Sequence, residues 1–318
     1  MCRIVTVLLV SSALITPLCA HAWDSEGHMA VAYIAYQQLT PATKARVKTL
    51  LALNPYATDS TKWPAQLAKA PKTADPDLVT FMIAATWPDQ IRSDSSYHDD
   101  GSAGGDRPPT DGTADQNIGY SDLARHKYWH FVDTPFSTDG TALLAIPTPN
   151  AETEVVLFRG VLSSSQPDAL KSYDLSWLLH LVGDLHQPLH CATRVSKSSP
   201  NGDNGGNGVK VSCATTCGPK LHTYWDDLLG TSSSISTTIT AAKKLPAADA
   251  TKGADLTVAD WVNESFTDAK DVAYEKPIKT SGTSTLTTKY QTDAKKLGKD
   301  QIALAGARLA NALNNDLK

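Results

Sequence analysis

The chain has little cysteine: five residues among 318, and two of these, Cys2 and Cys19, fall in the first 22 positions. Two thiolates close together are too few for a soft-metal site of their own. Cys213 and Cys217, both in the short stretch VSCATTCGPK, are therefore expected to pair in an oxidising compartment. Cys191 is left over, either buried and inert or a competitor for one of the pair. Positive charge is not in excess either. Lys and Arg number 29 against 33 Asp and Glu, a net charge of −4. That balance argues against gripping a polyanion through lysine patches. If the protein handles phosphates, its positive charge must come from elsewhere, and a metal is the obvious source.

No apolar run is long enough to span a membrane. The longest, from Ile4 to Ile15, is broken by Thr6, Ser11 and Ser12. Arg3 precedes it and Ala20-His21-Ala22 follows it. This is the pattern of a secretory signal cut between Ala22 and Trp23. Pro17-Leu18 ahead of Cys19 lacks the small residues of a lipoprotein site. Residues 23–318 then form a secreted or periplasmic chain, ample for one large domain. Strand signals are scarce as well. VKVSC at 209–213 is the best candidate for one short hairpin, and no solenoid repeat is present.

What the chain does have is helical periodicity almost throughout, so a mainly α fold in a single domain is expected. One helix is expected from Met29 to Leu39, just after His28. Thr40 caps a second, with Pro41 at its first position, running to about Leu53. A buried helix from Leu78 to Thr86 is expected to stop at Trp87-Pro88. Others cover Ala151 to Leu162 and Pro167 to Leu185. Thr257 caps a helix reaching about Tyr274. The last carries Ile302, Ala305, Leu309, Ala312 and Leu313 on one face. Asp99–Gly119 and Gly230–Thr240 read as long loops.

Histidines and aspartates are set into the apolar segments. In SWLLHLVGDLHQPLH, His180 and Asp184 are one turn apart and share a helical face. Pro188 ends or kinks that helix before His190. His222 and Asp226 repeat the spacing in KLHTYWDD. Asp89 sits in TWPDQIR, and His130 lies between Trp129 and Phe131. Taken singly, each could be a satisfied core pair or a helix cap. Taken together, four imidazoles and three carboxylates in apolar surroundings must be paired or bound to metal, because isolated buried charge is costly. They are the ligand types of zinc. A free amino group at Trp23, together with its own carbonyl, would add a chelating pair once the leader is removed, with His28 one loop away.

These motifs resemble a known family. The elements W-x4-H, D-x2-R, HFVD, H-x3-D-x5-H, H-x3-D and the terminal AGARLANALN are similar to those of the three-zinc, single-strand-specific extracellular nucleases of fungi, plants and bacteria. That family shares its fold with the bacterial zinc phospholipases C. The resemblance implies a helical zinc phospholipase C/nuclease-like fold and three Zn2+ ions. Asp89, His130 and His180 would hold the first, with Asp184 shared. His190, His222 and Asp226 would hold the second. Trp23, His28 and Asp184 would hold the third. It implies hydrolysis of single-stranded DNA or RNA to 5′-phosphate products and a 3′-nucleotidase activity. Asp89 would orient the attacking water and Arg92 would stabilise the transition state. Phe131 would stack on a base and Asp133 would read its edge. NGDNGGNG (201–208) resembles the family's GGN element near the cleft. A monomer with no membrane span is expected.

The chain also departs from the family pattern. Asp227 stands where Asn often follows the last ligand, and an added carboxylate there bears on substrate range. The apolar wall after His190 is either Val195 or, unexpectedly polar, Ser196. The stretch between His28 and Asp89 is long, as is the Asp99–Gly119 loop. His98, His126 and His186 match no ligand position and are expected in solvent or behind the ligands. Two other functions fit parts of the pattern. A zinc phospholipase C would use the same metals, but H-x3-E and a longer Trp–His gap are its resemblance. A non-catalytic secreted zinc-binding protein would have no need of Asp89 and Arg92.

Overall fold

Asp168–Asp184 is helical and buried along its whole length from Lys171 onward. A helix buried on every face needs other elements all round it. In the computed structural model, Ser25–Gln38, Ala151–Leu162, Pro41–Leu51 and Thr288–Asp316 supply that surround. Residues 23–113, 122–214 and 217–318 are described. The leader expected at 1–22 and part of the Asp99–Gly119 loop lie outside the described residues.

The architecture is mainly α, as the periodicity indicates. The 29-residue C-terminal helix Thr288–Asp316 packs along the first helix, Ser25–Gln38, and the first helix also meets Pro76–Ala84 and Ile235–Ala242. Caps set the boundaries. Asn150 accepts from Glu152 N and Thr153 N, while Thr153 returns a bond to the Asn150 backbone, and the helix begins at Ala151 as expected. The Thr40 side chain accepts from Thr43 N with Pro41 at the first helical position.

Several expected boundaries shift. The first helix starts at Ser25, because the Asp24 side chain accepts from Ser25 N; His28 is therefore inside it. The expected Leu78–Thr86 helix spans Pro76–Ala84 and does end ahead of Trp87-Pro88. Trp87-Pro88 also opens a second short helix, Trp87–Ser93, with Pro at its start. Part of the 230–240 loop is helical, Ile235–Ala242, capped by Ser234. The Thr257-capped helix ends at Asp268 and continues as one wide turn to Ala273.

The β structure among the described residues is two short parallel pairs, Pro135–Ser137 with Thr193–Val195 and Lys210–Ser212 with Thr283–Thr285. The expected hairpin at 209–213 is thus mainly a parallel pairing with a distant segment. Only a single antiparallel bridge, Lys210 with Lys220, links its own two arms. Cys213 and Cys217 are disulfide-bonded in that arm, and Cys191 is free and buried.

An aromatic core lies beside the central helix. Trp177 meets Trp87 and Trp129 edge-on at 5.9 and 4.9 Å between ring centres. Burying each such ring is worth roughly 1.5–3 kcal/mol, enough to hold the polar cluster on the next turns of the same helix. No helix of the described residues is long and apolar enough to cross a membrane.

Candidate metal centre

His180 and Asp184 project from one face of the central helix, and three elements converge on them. His130, at the end of a short turn Lys127–His130, places Nδ1 3.0 Å from Asp184 Oδ2 and 3.1 Å from His180 Nε2. His28 of the first helix places Nε2 3.4 Å from Asp184 Oδ1 and stacks on the His180 ring at 3.7 Å. Asp89, in the first turn of Trp87–Ser93, has Oδ1 3.8 Å from His180 Nε2. The close fit of the first and central helices depends on Gly183, where a Cβ would stand 2.8 Å from His28 Nδ1.

A second group lies beside the first. His190 closes the three-residue turn opened by Pro188, and its ring stacks on that of His222 at 4.9 Å. His222 Nε2 is 3.7 Å from Asp226 Oδ2 on Leu221–Asp226. Asp184 Oδ1 is 3.8 Å from His190 Nδ1, so this carboxylate touches both groups. Three sets are close enough to hold an ion: His28–Asp89–His180, His130–His180–Asp184, and His190–His222–Asp226. The third coincides with the set implied by the resemblance. The other two share His180.

Backbone carbonyls fix the tautomers. Nδ1 of His180 donates to Ala85 O at 2.8 Å, Nδ1 of His190 to His130 O at 2.7 Å, and Nδ1 of His222 to Gly205 O at 2.7 Å. A carbonyl oxygen can only accept, so Nδ1 carries the proton and Nε2 keeps its lone pair. Metal-binding histidines are held in this way. The Nε2 atoms of His130, His190 and His222, and Asp184 Oδ1, are buried with no hydrogen-bond partner among the described residues. Such atoms are expensive unless something binds them.

Burial sets the protonation of the centre in the absence of metal. Burial drives Asp184 and Asp226 well above the usual carboxylate range, and neighbouring carboxylates add to the rise. Burial also drives His130 and His190 well below the usual imidazole range, and His222 down to about 4. Neutral imidazoles with charge-hungry carboxylates match a divalent ion, which binds deprotonated ligands.

Other candidate residues fall around this centre. Arg92, nearly buried, places Nη1 3.4 Å from Asp89 Oδ1. Phe131 is partly exposed, with its ring 4.7 Å from His190 and 6.0 Å from His222. Asp133 is half-buried on a left-handed backbone, φ 38°, and burial lifts its carboxyl to about 6. Asp227 directly follows Asp226 and raises its pKa. Trp23 is fully buried, and the next amide, Asp24 N, donates to Asp226 O at 3.1 Å. Asp89 lies within a helix rather than beyond the end of one. Val195 is buried, and so is Ser196.

His98 is exposed as expected, but His126 and His186 are buried. His186 donates to Val182 O at 2.7 Å and accepts from Arg308 Nη1 at 3.0 Å. His126 sits between Asp100 and Asp122 and stacks on Trp129.

Supporting residues were missed at the sequence level. Gln187 Nε2 donates to Asp226 Oδ1 at 2.7 Å; its only signal was its place in HQPLH. Asp203 Oδ1 accepts from Arg194 N, Gly206 N and the Tyr274 hydroxyl. It thereby pins the loop whose Gly205 carbonyl orients His222, and this brings the NGDNGGNG segment to the site.

Comparison with known proteins agrees with this geometry. Residues 23–318 match the family described as S1/P1 Nuclease. Endonuclease 4 of Arabidopsis thaliana is 27% identical over 242 residues, covering 70% of this chain. The match spans 59% of that protein's own length.

Proposed function

The chain belongs to the S1/P1 nuclease family, and from that premise we propose that it is a secreted, zinc-dependent phosphodiesterase. It cuts single-stranded DNA or RNA to 5′-phosphate products and removes 3′-phosphates from nucleotides. The observation that carries this reading is the set of buried, partnerless Nε2 atoms, two of them locked by carbonyls, around Asp184 and Asp226.

His28, Asp89, His130, His180, Asp184, His190, His222 and Asp226 would hold the ions, with Trp23 contributing its amino nitrogen and carbonyl once the leader is removed. Zinc bound there supplies Lewis acidity toward phosphoryl oxygen and lowers the pKa of water into the neutral range. The ions also supply the positive charge that an acidic chain otherwise lacks. Asp89, at the edge of the centre, orients the attacking water and accepts its proton. The Arg92 guanidinium beside it faces the negative charge that grows on phosphorus. Phe131 presents a ring face to an unstacked base, and Asp133 accepts from a donor on the base edge. A base inside a duplex is not free to stack there, which gives the single-strand preference.

The test is product analysis on denatured and duplex DNA with the chain beginning at Trp23. Chelator-sensitive release of 5′-phosphate nucleotides from denatured DNA only is expected. Equal cleavage of duplex, or 3′-phosphate products, would overturn the assignment. One additional residue ahead of Trp23 should weaken cleavage; equal activity would remove Trp23 from the ligand set.

A further inference from the structure

The long stretch between His28 and Asp89 contributes no candidate ligand side chain, yet it builds one wall of a cavity of about 390 Å3. Tyr56, Lys62 and Gln66 form that wall. The facing wall is Thr86, Gln90 and Ser93, on or beside the short helix that carries Asp89 and Arg92. Ser25 and Met29, flanking His28 on the first helix, close one end. The cavity therefore adjoins the His28–Asp89 side of the centre. Phe131 lies on the other side, against His190 and His222.

Charge and size narrow the occupant. Lys62 Nζ is 2.6 Å from Asp94 Oδ2, which also accepts from the Tyr56 hydroxyl at 2.5 Å. The cation in the wall is thus neutralised, and a phosphate would find no net positive charge. What remains is amide and hydroxyl chemistry above a buried floor of Met29, Tyr56 and Thr86. The Gln66 and Gln90 amides approach each other only to 3.4 Å, while Gln90 Nε2 donates to Thr86 Oγ1 at 2.7 Å. The Gln66 amide, held only by that long contact, matches the donor and acceptor edges of a nucleobase. The volume lies at the low end of small-ligand sites, roughly 300–1,000 Å3, and suits one nucleoside.

We propose that this cavity binds the nucleoside on the 3′ side of the cleaved bond, opposite the one that stacks on Phe131. The proposal rests on the nuclease reading above. In the reaction, water oxygen bonds to phosphorus and the P–O3′ bond breaks. The departing 3′-oxygen takes a proton, and the nucleoside in this cavity keeps the 5′-phosphate. A 3′-mononucleotide has nothing to place here, whereas a dinucleotide does.

The experiment compares KM for a deoxydinucleotide and for a 3′-mononucleotide in the zinc-loaded protein, Gln66→Leu and Ser93→Trp, with melting temperatures as a fold check. The expected result is a roughly tenfold rise in dinucleotide KM, equivalent to one or two lost hydrogen bonds. The 3′-mononucleotide KM should stay constant. An unchanged dinucleotide KM in both variants overturns the cavity assignment and leaves the nuclease reading intact. An equal rise for both substrates overturns it likewise. If the unaltered protein hydrolyses neither substrate, the nuclease reading itself fails.

Discussion

His222 Nδ1 donates to the Gly205 carbonyl at 2.7 Å, across 17 residues of chain. That bond leaves His222 Nε2 as a lone-pair donor facing the His190–Asp226 group. It depends on a left-handed backbone at Gly205, φ +59°, where a Cβ would stand 2.4 Å from Leu189 O.

Gly205→Ala should therefore destabilise the loop by on the order of 1–3 kcal/mol and release one ion before the others. Zinc content by mass spectrometry and thermal melting check this. A variant with full zinc content and unchanged melting would show that the loop does not orient His222. Asp203→Ala acts on the same loop from behind. It leaves the Arg194 amide and Tyr274 hydroxyl without their buried acceptor, at about 1–3 kcal/mol each, and denaturant unfolding measures the loss.

On the proposed function, Arg92, 3.4 Å from Asp89, acts on the transition state rather than on the fold. Arg92→Ala should lower kcat by roughly 10²–10³ with little change in zinc content. A fall confined to KM would instead mean that Arg92 binds substrate and transition state alike.

Stability should depend on pH through His126. Burial alone would lower its pKa, but the carboxylates of Asp100 and Asp122 outweigh burial and raise it. A raised folded value means the contribution is fully present below about 6.5, the unfolded value. It is lost as pH rises through the folded value. His126→Asn should remove that alkaline decline in unfolding free energy. At the other extreme, Asp94 is held below the usual carboxylate range by Lys62, Ser96 and Tyr56. Its contribution is present above about 4 and is lost as pH falls further.

Asp133 gives a pH effect on binding. Burial lifts its carboxyl to about 6, so in the proposed base-edge role it would accept above that pH and lose this role as pH falls through it. KM for substrates with a donor on that edge should rise below pH 6, and Asp133→Asn should abolish the dependence. A wild-type KM that is flat across this range would remove Asp133 from the base site.

The site was more legible in the sequence than its scaffold. His180 and Asp184 could be placed on one face because the helical spacing fixes it, and Pro188 marked where His190 leaves the helix. The helix Ala151–Leu162 was readable from its apolar periodicity, with Val155, Phe158 and Leu162 buried on one face. The start of the first helix was not, since Ser25-Glu26-Gly27 carries no apolar stripe and the signal was the Asp24 cap. Trp87-Pro88 reads as a stop, and one helix does end before it, but proline is equally at home in a first turn and a second helix opens there. Ser/Thr composition hid Ile235–Ala242, whose Ile235 and Ile239 lie one turn apart. The burial of His126 depends on Asp122, four residues before it, and on Asp100, which lies 26 residues away and which no local spacing links to it.

The central claim is that buried imidazoles and carboxylates assemble a zinc centre that hydrolyses phosphodiesters. The most direct measurement is a zinc titration of the chelator-stripped chain beginning at Trp23, following bound zinc and hydrolysis of denatured DNA in the same samples. The account predicts no hydrolysis without metal, and activity that rises with zinc and saturates near three equivalents. Full activity in the stripped protein, or none in the saturated one, would contradict it.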